Sequence, residues 1–132
     1  SVHWCAKKQE STAISTAEAE LYAMSIGLSV GTWCRHLLSD LGVIAKMKVY
    51  CDNQAAIAML KNQSPGRARH IDVRKNYVND LVIRDIADVY YVESANQMAD
   101  GLTKCIKSGT INNTIRYLLG PQAHLALEGV TN

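Results

Sequence analysis

The sequence predicts an α/β fold, and three observations carry that prediction. The run MKVYC at residues 47 to 51 is short, apolar and β-prone, and the polar residues after it open a helix-forming stretch. A second run of the same kind, ADVYYV at 87 to 92, follows an amphipathic helical segment. Two Ser residues, Ser15 and Ser94, stand three positions before Glu18 and Gln97, the spacing of a capping box at a helix start. Strands alternating with helices favour helices layered on a sheet. The chain has 132 residues, of which 48% are hydrophobic, enough for one domain with a real core.

Taken in order, SVHWCAK at residues 1 to 7 reads as a short strand, followed by the polar connection KQESTAI. A helix then starts at Ser15, with Ala17, Leu21, Met24 and Leu28 at helical spacing. A second helix is expected over about 31 to 41, carrying Trp33, Leu37, Leu38 and Leu41 and ended by Gly42. Trp4 and Trp33 read as core residues. After the 47 to 51 strand, Asp52 or Asn53 caps a short helix reaching Leu60. NQSPGRAR is a breaker loop, and Ile71, Val78, Leu81 and Val82 share one face of a helix over about 71 to 84. Beyond the 87 to 92 strand, Ser94 opens a helix containing Ala99, Asp100 and Leu102. One weaker amphipathic stretch, TINNTIRYLL, precedes a fraying end. The domain is expected to span 1 to 120, with 121 to 132 as a tail.

The formal net charge is only +2, so contact with a nucleic acid requires a local patch rather than a general basic field. Arg67, Arg69 and His70, followed by Arg74 and Lys75, form such a patch in the sequence. It suits a phosphate backbone. The four cysteines lie far apart, with neither zinc-type pairs nor the density of a secreted scaffold. They read as reduced thiols in an intracellular protein. No apolar run approaches the roughly 20 residues of a membrane span, so no membrane partner is expected.

Three acids stand out by position. Asp52 falls at the carboxyl end of a strand, where functional groups gather in open α/β sheets; the same position also suits a helix cap. Glu20 borders the apolar stripe of the first helix one turn before Met24, a place that also suits a side chain reaching out to water. Asp100 falls early in a helix, where a carboxylate complements the dipole. Scattered carboxylates of this kind match the needs of a hard cation, which takes oxygen ligands and completes its shell with substrate phosphate.

The motifs AELYAM, YCDNQAAI, RARHIDVRKNYV and NQMADGLTK, in that order and with these separations, resemble the ribonuclease H domain of copia-type retrotransposon Pol polyproteins. The resemblance runs from residue 1 to about 120. It implies an α/β, ribonuclease H-like mixed sheet flanked by helices, incomplete at the amino end. It also implies metal-dependent endonucleolytic hydrolysis of the RNA strand of RNA/DNA hybrids, beside the reverse transcriptase portion of the parent polyprotein. Glu20, Asp52 and Asp100 match the family's carboxylates in a two-metal Mg2+ site, and Glu18 is a near miss on the capping side. Asn53, Gln54, Arg67, Arg69 and His70 fall where the hybrid would be bound, Asn53 and Gln54 toward the 2′-hydroxyls that mark RNA.

Departures from the family pattern temper the expectation. The family's first acid lies on an amino-terminal strand, within a run resembling Ser-Asp-Ala-Asp-Trp, which has no counterpart at or after Ser1. Activity of this chain alone is therefore expected to be weak or absent, and its open strand edges invite a strand-donating chain or an RNA–protein assembly. Val92, Glu93, Ser94 and Ala95 stand where many ribonucleases H carry a His for product release, and Cys105 stands where a proline is common. The alternative function is a domesticated, non-catalytic module with a structural or RNA-associated role.

Overall fold

The structure is a computed structural model that describes residues 15–61 and 69–102 together with His3 and Ala13. The expected first strand, the stretch TINNTIRYLL, Trp4 and most of the NQSPGRAR loop lie outside the described residues. The chain divides into two compact units, Ser11–Glu93 and a second formed by Ser1–Glu10 with Ser94–Asn132.

In the first unit, α1 (Thr16–Asp40), β1 (Met47–Cys51), α2 (Gln54–Lys61), α3 (Arg69–Ile83) and β2 (Ala87–Tyr91) follow one another. The strands pair in parallel, Met47 opposite Ala87 and Cys51 opposite Tyr91. Both coincide with the apolar runs that predicted them, β2 ending one residue early. The α/β class is as expected, and the arrangement accords with part of a ribonuclease H-like sheet.

Ser15 caps α1, its Oγ accepting the Glu18 N–H at 3.2 Å. From there the helix runs unbroken to Asp40, where two helices were expected. Gly27 and Gly31 are too isolated to stop it, since a single interior glycine costs only about 1 kcal/mol. At Gly31 the missing side chain is used: a Cβ there would meet the Met47 Sδ at 2.7 Å, so glycine lets β1 lie close against the helix.

Continuity has a consequence for packing. Ala17, Leu21, Met24 and Leu28 are buried, and at 100° per residue their face continues through Gly31, Thr32 and Arg35. Thr32 bonds the Leu28 carbonyl at 2.8 Å, and the Arg35 Nε donates to the Ala45 carbonyl at 3.1 Å. Trp33, Leu37 and Leu41 are turned roughly 140° to 220° from Leu28 by the same rotation. They are exposed, Trp33 at 60% and Leu41 at 78%. Trp33 is therefore not a core residue of this unit, and the second stripe would face inward only on a separately oriented helix.

The core joins the α1 stripe to Cys51, Ala56, Leu60, Val78, Leu81 and Ala87, with Met47, Val49, Tyr77 and Ile86 packed around it. Of the expected α3 face, Val78 and Leu81 are buried whereas Val82 is 39% exposed; the side chain of Ile71 lies outside the described residues. α3 also meets α1 through Arg74, whose guanidinium lies 3.7 Å from the Tyr22 ring centroid and donates to the Ser25 Oγ at 3.2 Å.

Both helices leading into strands end in the same way. At the end of α1, Gly42 (φ 80) donates to the Ser39 carbonyl at 2.9 Å and Val43 to that of Leu38 at 2.8 Å. At the end of α3, Asp85 (φ 58) donates to Val82 at 3.0 Å and Ile86 to Leu81 at 2.9 Å. These are Schellman caps with their left-handed residue at Gly42 and Asp85. Asp85 lacks glycine's freedom, but its carboxylate is engaged by Lys46, which also reaches Asp88 at 3.0 Å. Lys46 thus ties the entry of β1 to the entry of β2.

In the second unit, Ser94–Asn96 and Met98–Leu102 are short 3-10 turns. The expected α-helix beginning at Ser94 is replaced, through residue 102, by i to i+3 bonding: Gln97 donates to the Ser94 carbonyl and Asp100 to that of Gln97, each at 3.2 Å. The Ser-x-x-Gln spacing fits such a turn as well as a helix start. Among the described residues Cys34 and Cys51 are free thiols, and no helix there is long and apolar enough to cross a membrane.

Gly42→Ala is expected to lower the unfolding free energy by about 1–2 kcal/mol in urea denaturation, because alanine resists the left-handed conformation. The Lys46 hydrogen bond holds the Asp88 carboxyl below its ordinary range. Its contribution is present above that range and lost as pH falls through the lowered value. NMR titration is expected to show a depressed Asp88 midpoint that moves up in Lys46→Met.

Candidate metal centre

The end of β1 is fixed by the last rung of the ladder, where the Val92 N–H donates to the Cys51 carbonyl at 3.0 Å. Three residues later, at Gln54, the chain enters α2. Asn53 is its cap: Oδ1 accepts the Ala56 N–H at 3.1 Å, and the Asn53 carbonyl accepts the Ile57 N–H at 3.2 Å. The sequence left Asp52 and Asn53 as alternative caps. With Asn53 in that role, Asp52 is held half-buried between strand and helix by backbone bonds made on either side of it.

Glu20 arrives from α1. It immediately precedes Leu21, which is 1% exposed, and packing of the Leu21 face sets the Glu20 carboxylate at the core border. Ligand atoms of Glu20, Cys51 and Asp52 all lie within 4.8 Å of one another. Residues 32 positions apart are thereby joined in one group of two carboxylates and a thiol.

Cys51 was legible in the sequence only as a reduced thiol. The signal for more was its place beside Asp52 at the end of a strand. It is 1% exposed, and burial pushes its thiol above the ordinary range. The negative charges of Glu20 and Asp52 act in the same sense, while the hydrogen bond from the backbone of Asn53 opposes them. That bond runs from the Asn53 N–H to Sγ at 3.4 Å, and the thiol faces the Asn53 carbonyl at 3.7 Å.

The remaining candidates divide. Asp100 is half-buried in the 3-10 turn Met98–Leu102, in the second unit. Gln54 is exposed on the first turn of α2. Arg67 lies outside the described residues. Arg69 and His70 form the start of α3, and their side chains lie outside the described residues. The expected basic patch does not extend along α3, because Arg74 stacks on Tyr22 and Lys75 is 8% exposed. Helical geometry turns these two toward α1 and the core.

The donor set suits a hard cation in part. Two carboxylates from separate elements are the number of protein ligands with which magnesium is commonly held when phosphate oxygens complete its shell. A buried thiol kept protonated by its surroundings is no ligand for magnesium.

Comparison with known proteins finds homologues among transposon polyproteins. The chain is 35% identical over 107 residues to the retrovirus-related Pol polyprotein from transposon TNT 1-94 of Nicotiana tabacum, a match covering 80% of the chain. It is 29% identical over 115 residues to that from transposon RE1 of Arabidopsis thaliana, and 29% over 120 residues to that from RE2, covering 85% and 89% of the chain. The chain spans about 8% of the length of each of these relatives. No family model and no solved structure matches it.

Asn53→Ala is expected to cost about 1 kcal/mol in urea denaturation through loss of the cap.

Proposed function

We propose that this chain, homologous along most of its length to a short segment of transposon Pol polyproteins, is their ribonuclease H portion. It acts in divalent-cation-dependent endonucleolytic hydrolysis of the RNA strand of RNA/DNA hybrids during reverse transcription. The observation that carries the reading is the convergence of the Glu20 and Asp52 carboxylates beside a strand end whose helix cap is a different residue. A cap would have explained Asp52. Asn53 takes that role, and the Asp52 carboxylate is instead grouped with that of Glu20, which supports a cation site.

In this reading Glu20 and Asp52 would hold Mg2+ through their carboxylate oxygens. Bound cations of this class activate a water and stabilise the leaving oxygen of an in-line phosphodiester hydrolysis. The protein's own part is placement. Glu20 is fixed by α1 packing, and Asp52 by the Cys51 rung and the Asn53 cap. Gln54 on the first turn of α2, with Arg67, Arg69 and His70, contacts the sugar–phosphate backbone of the hybrid. The Asn53 Oδ1 is committed to the cap, so its contact with a sugar or phosphate goes through the amide nitrogen. The parent polyprotein, with its reverse transcriptase portion, supplies the setting, and independent catalysis by these 132 residues is weak or absent.

The test is cleavage of an end-labelled RNA/DNA hybrid in Mg2+ or Mn2+, by the chain alone and joined to the upstream segment of a homologous Pol polyprotein. Cleavage by the joined form is expected to fall to background in Glu20→Gln and in Asp52→Asn, with duplex DNA untouched. A folded joined form that leaves the hybrid intact would exclude the hydrolase.

A further inference from the structure

We propose that Cys51 gives the Glu20–Asp52 site a second, thiophilic mode of binding. Zn2+ or Cd2+ is held there by the Cys51 sulfur together with carboxylate oxygens of Glu20 and Asp52, and so competes with the hard cation. The proposal rests on the reading of Glu20 and Asp52 as a cation-binding pair and adds to it a regulation by metal type.

Geometry and chemistry support it together. A tetrahedral Zn2+ with bonds of about 2.0–2.3 Å spaces its ligand atoms about 3.5 Å apart. The three ligand atoms here already lie within 4.8 Å of one another, a difference that small side-chain rotations remove. The sulfur also has a built donor. The Asn53 N–H points at it from 3.4 Å, on a backbone held by the α2 cap, and an N–H so placed stabilises a sulfur that has lost its proton.

Magnesium, a hard cation, takes the carboxylate oxygens and leaves the sulfur aside. A soft or borderline cation has a different optimum. It prefers sulfur to oxygen, and first-row affinities at mixed sites place Zn2+ near the top of the series. On binding, the Cys51 S–H bond breaks, the proton passes to water and a metal–sulfur bond forms, with no electron transferred. Cys51 is 1% exposed, whereas Glu20 and Asp52 are half-buried, so the cation enters past the carboxylates and meets the sulfur last.

The experiment is a Cd2+ titration of the 132-residue chain, followed by the ultraviolet thiolate-to-metal charge-transfer band and by cadmium NMR. The expected result is a band saturating at one equivalent, a cadmium shift characteristic of mixed sulfur and oxygen ligation, loss of the band in Cys51→Ser, and at least about tenfold weaker binding in Glu20→Gln and Asp52→Asn. The carboxylate variants keep every thiol, so they separate this site from adventitious binding at Cys5, Cys34 or Cys105. They also keep the test decisive if Cys51→Ser fails to fold. Absence of the band, its persistence in a folded Cys51→Ser, or its indifference to both carboxylate variants would overturn the proposal. A parallel Mg2+ titration and the hybrid-cleavage assay of the joined form separate the two readings: Mg2+ bound with no Cd2+ band removes the thiophilic mode alone, and a Cys51-dependent band with no cleavage by the folded joined form removes the magnesium hydrolase and keeps the mode.

Discussion

The packing of one face of α1 against β1, α2 and α3 is the constraint on which the first unit depends. Ala17, Leu21, Met24 and Leu28 contribute that face, and Cys51, Ala56, Val78 and Ala87 meet it in one cluster. Burial of this apolar surface is the main favourable term available to so small a sheet, because an isolated strand pair is marginal in water. Gly31 extends the contact by admitting Met47. Lys46, held between Asp85 and Asp88, then sets where the two strands begin.

The same packing determines where charge is placed. Leu21 must face the core, so Glu20 is carried to its border beside the end of β1. There the backbone is committed on both sides, to Val92 at Cys51 and to α2 at Asn53. The backbone around Asp52 is thus held by bonds on either side of it. The Asp52 carboxylate lies with that of Glu20 and the Cys51 sulfur in one group. A buried sulfur beside the pair makes this group unlike one of oxygens alone.

Local signals in the sequence were read correctly where short-range rules decide structure. Ser15 caps α1, the two apolar runs at 47 to 51 and 87 to 92 carry the strands, and Gly42 takes the left-handed position that ends the first helix. Other features were illegible for identifiable reasons. Trp33, Leu37 and Leu41 form a respectable apolar stripe, and only the continuity of α1 fixes its phase opposite to Leu28. Arg74 and Lys75 read as neighbours of a basic loop until the rotation of α3 turns them inward. The spacing from Ser94 to Gln97 is shared by a helix start and a 3-10 turn, so the bonding at Asp100 was open. Asp85 gave no sign of its left-handed conformation, because the Lys46 that engages it is 39 positions away.

Sequence by itself determined the α/β class, the two strands of the first unit, the capped start of α1 at Ser15 and its end at Gly42. All of these follow from periodicity, capping chemistry and residue type within a few positions. Only the tertiary structure decided that Asn53 rather than Asp52 caps α2, that Glu20 meets Asp52, and that Cys51 lies with them. Those outcomes depend on how a helix face seats against a strand end, and that seating is set by the summed burial of residues far apart in the chain.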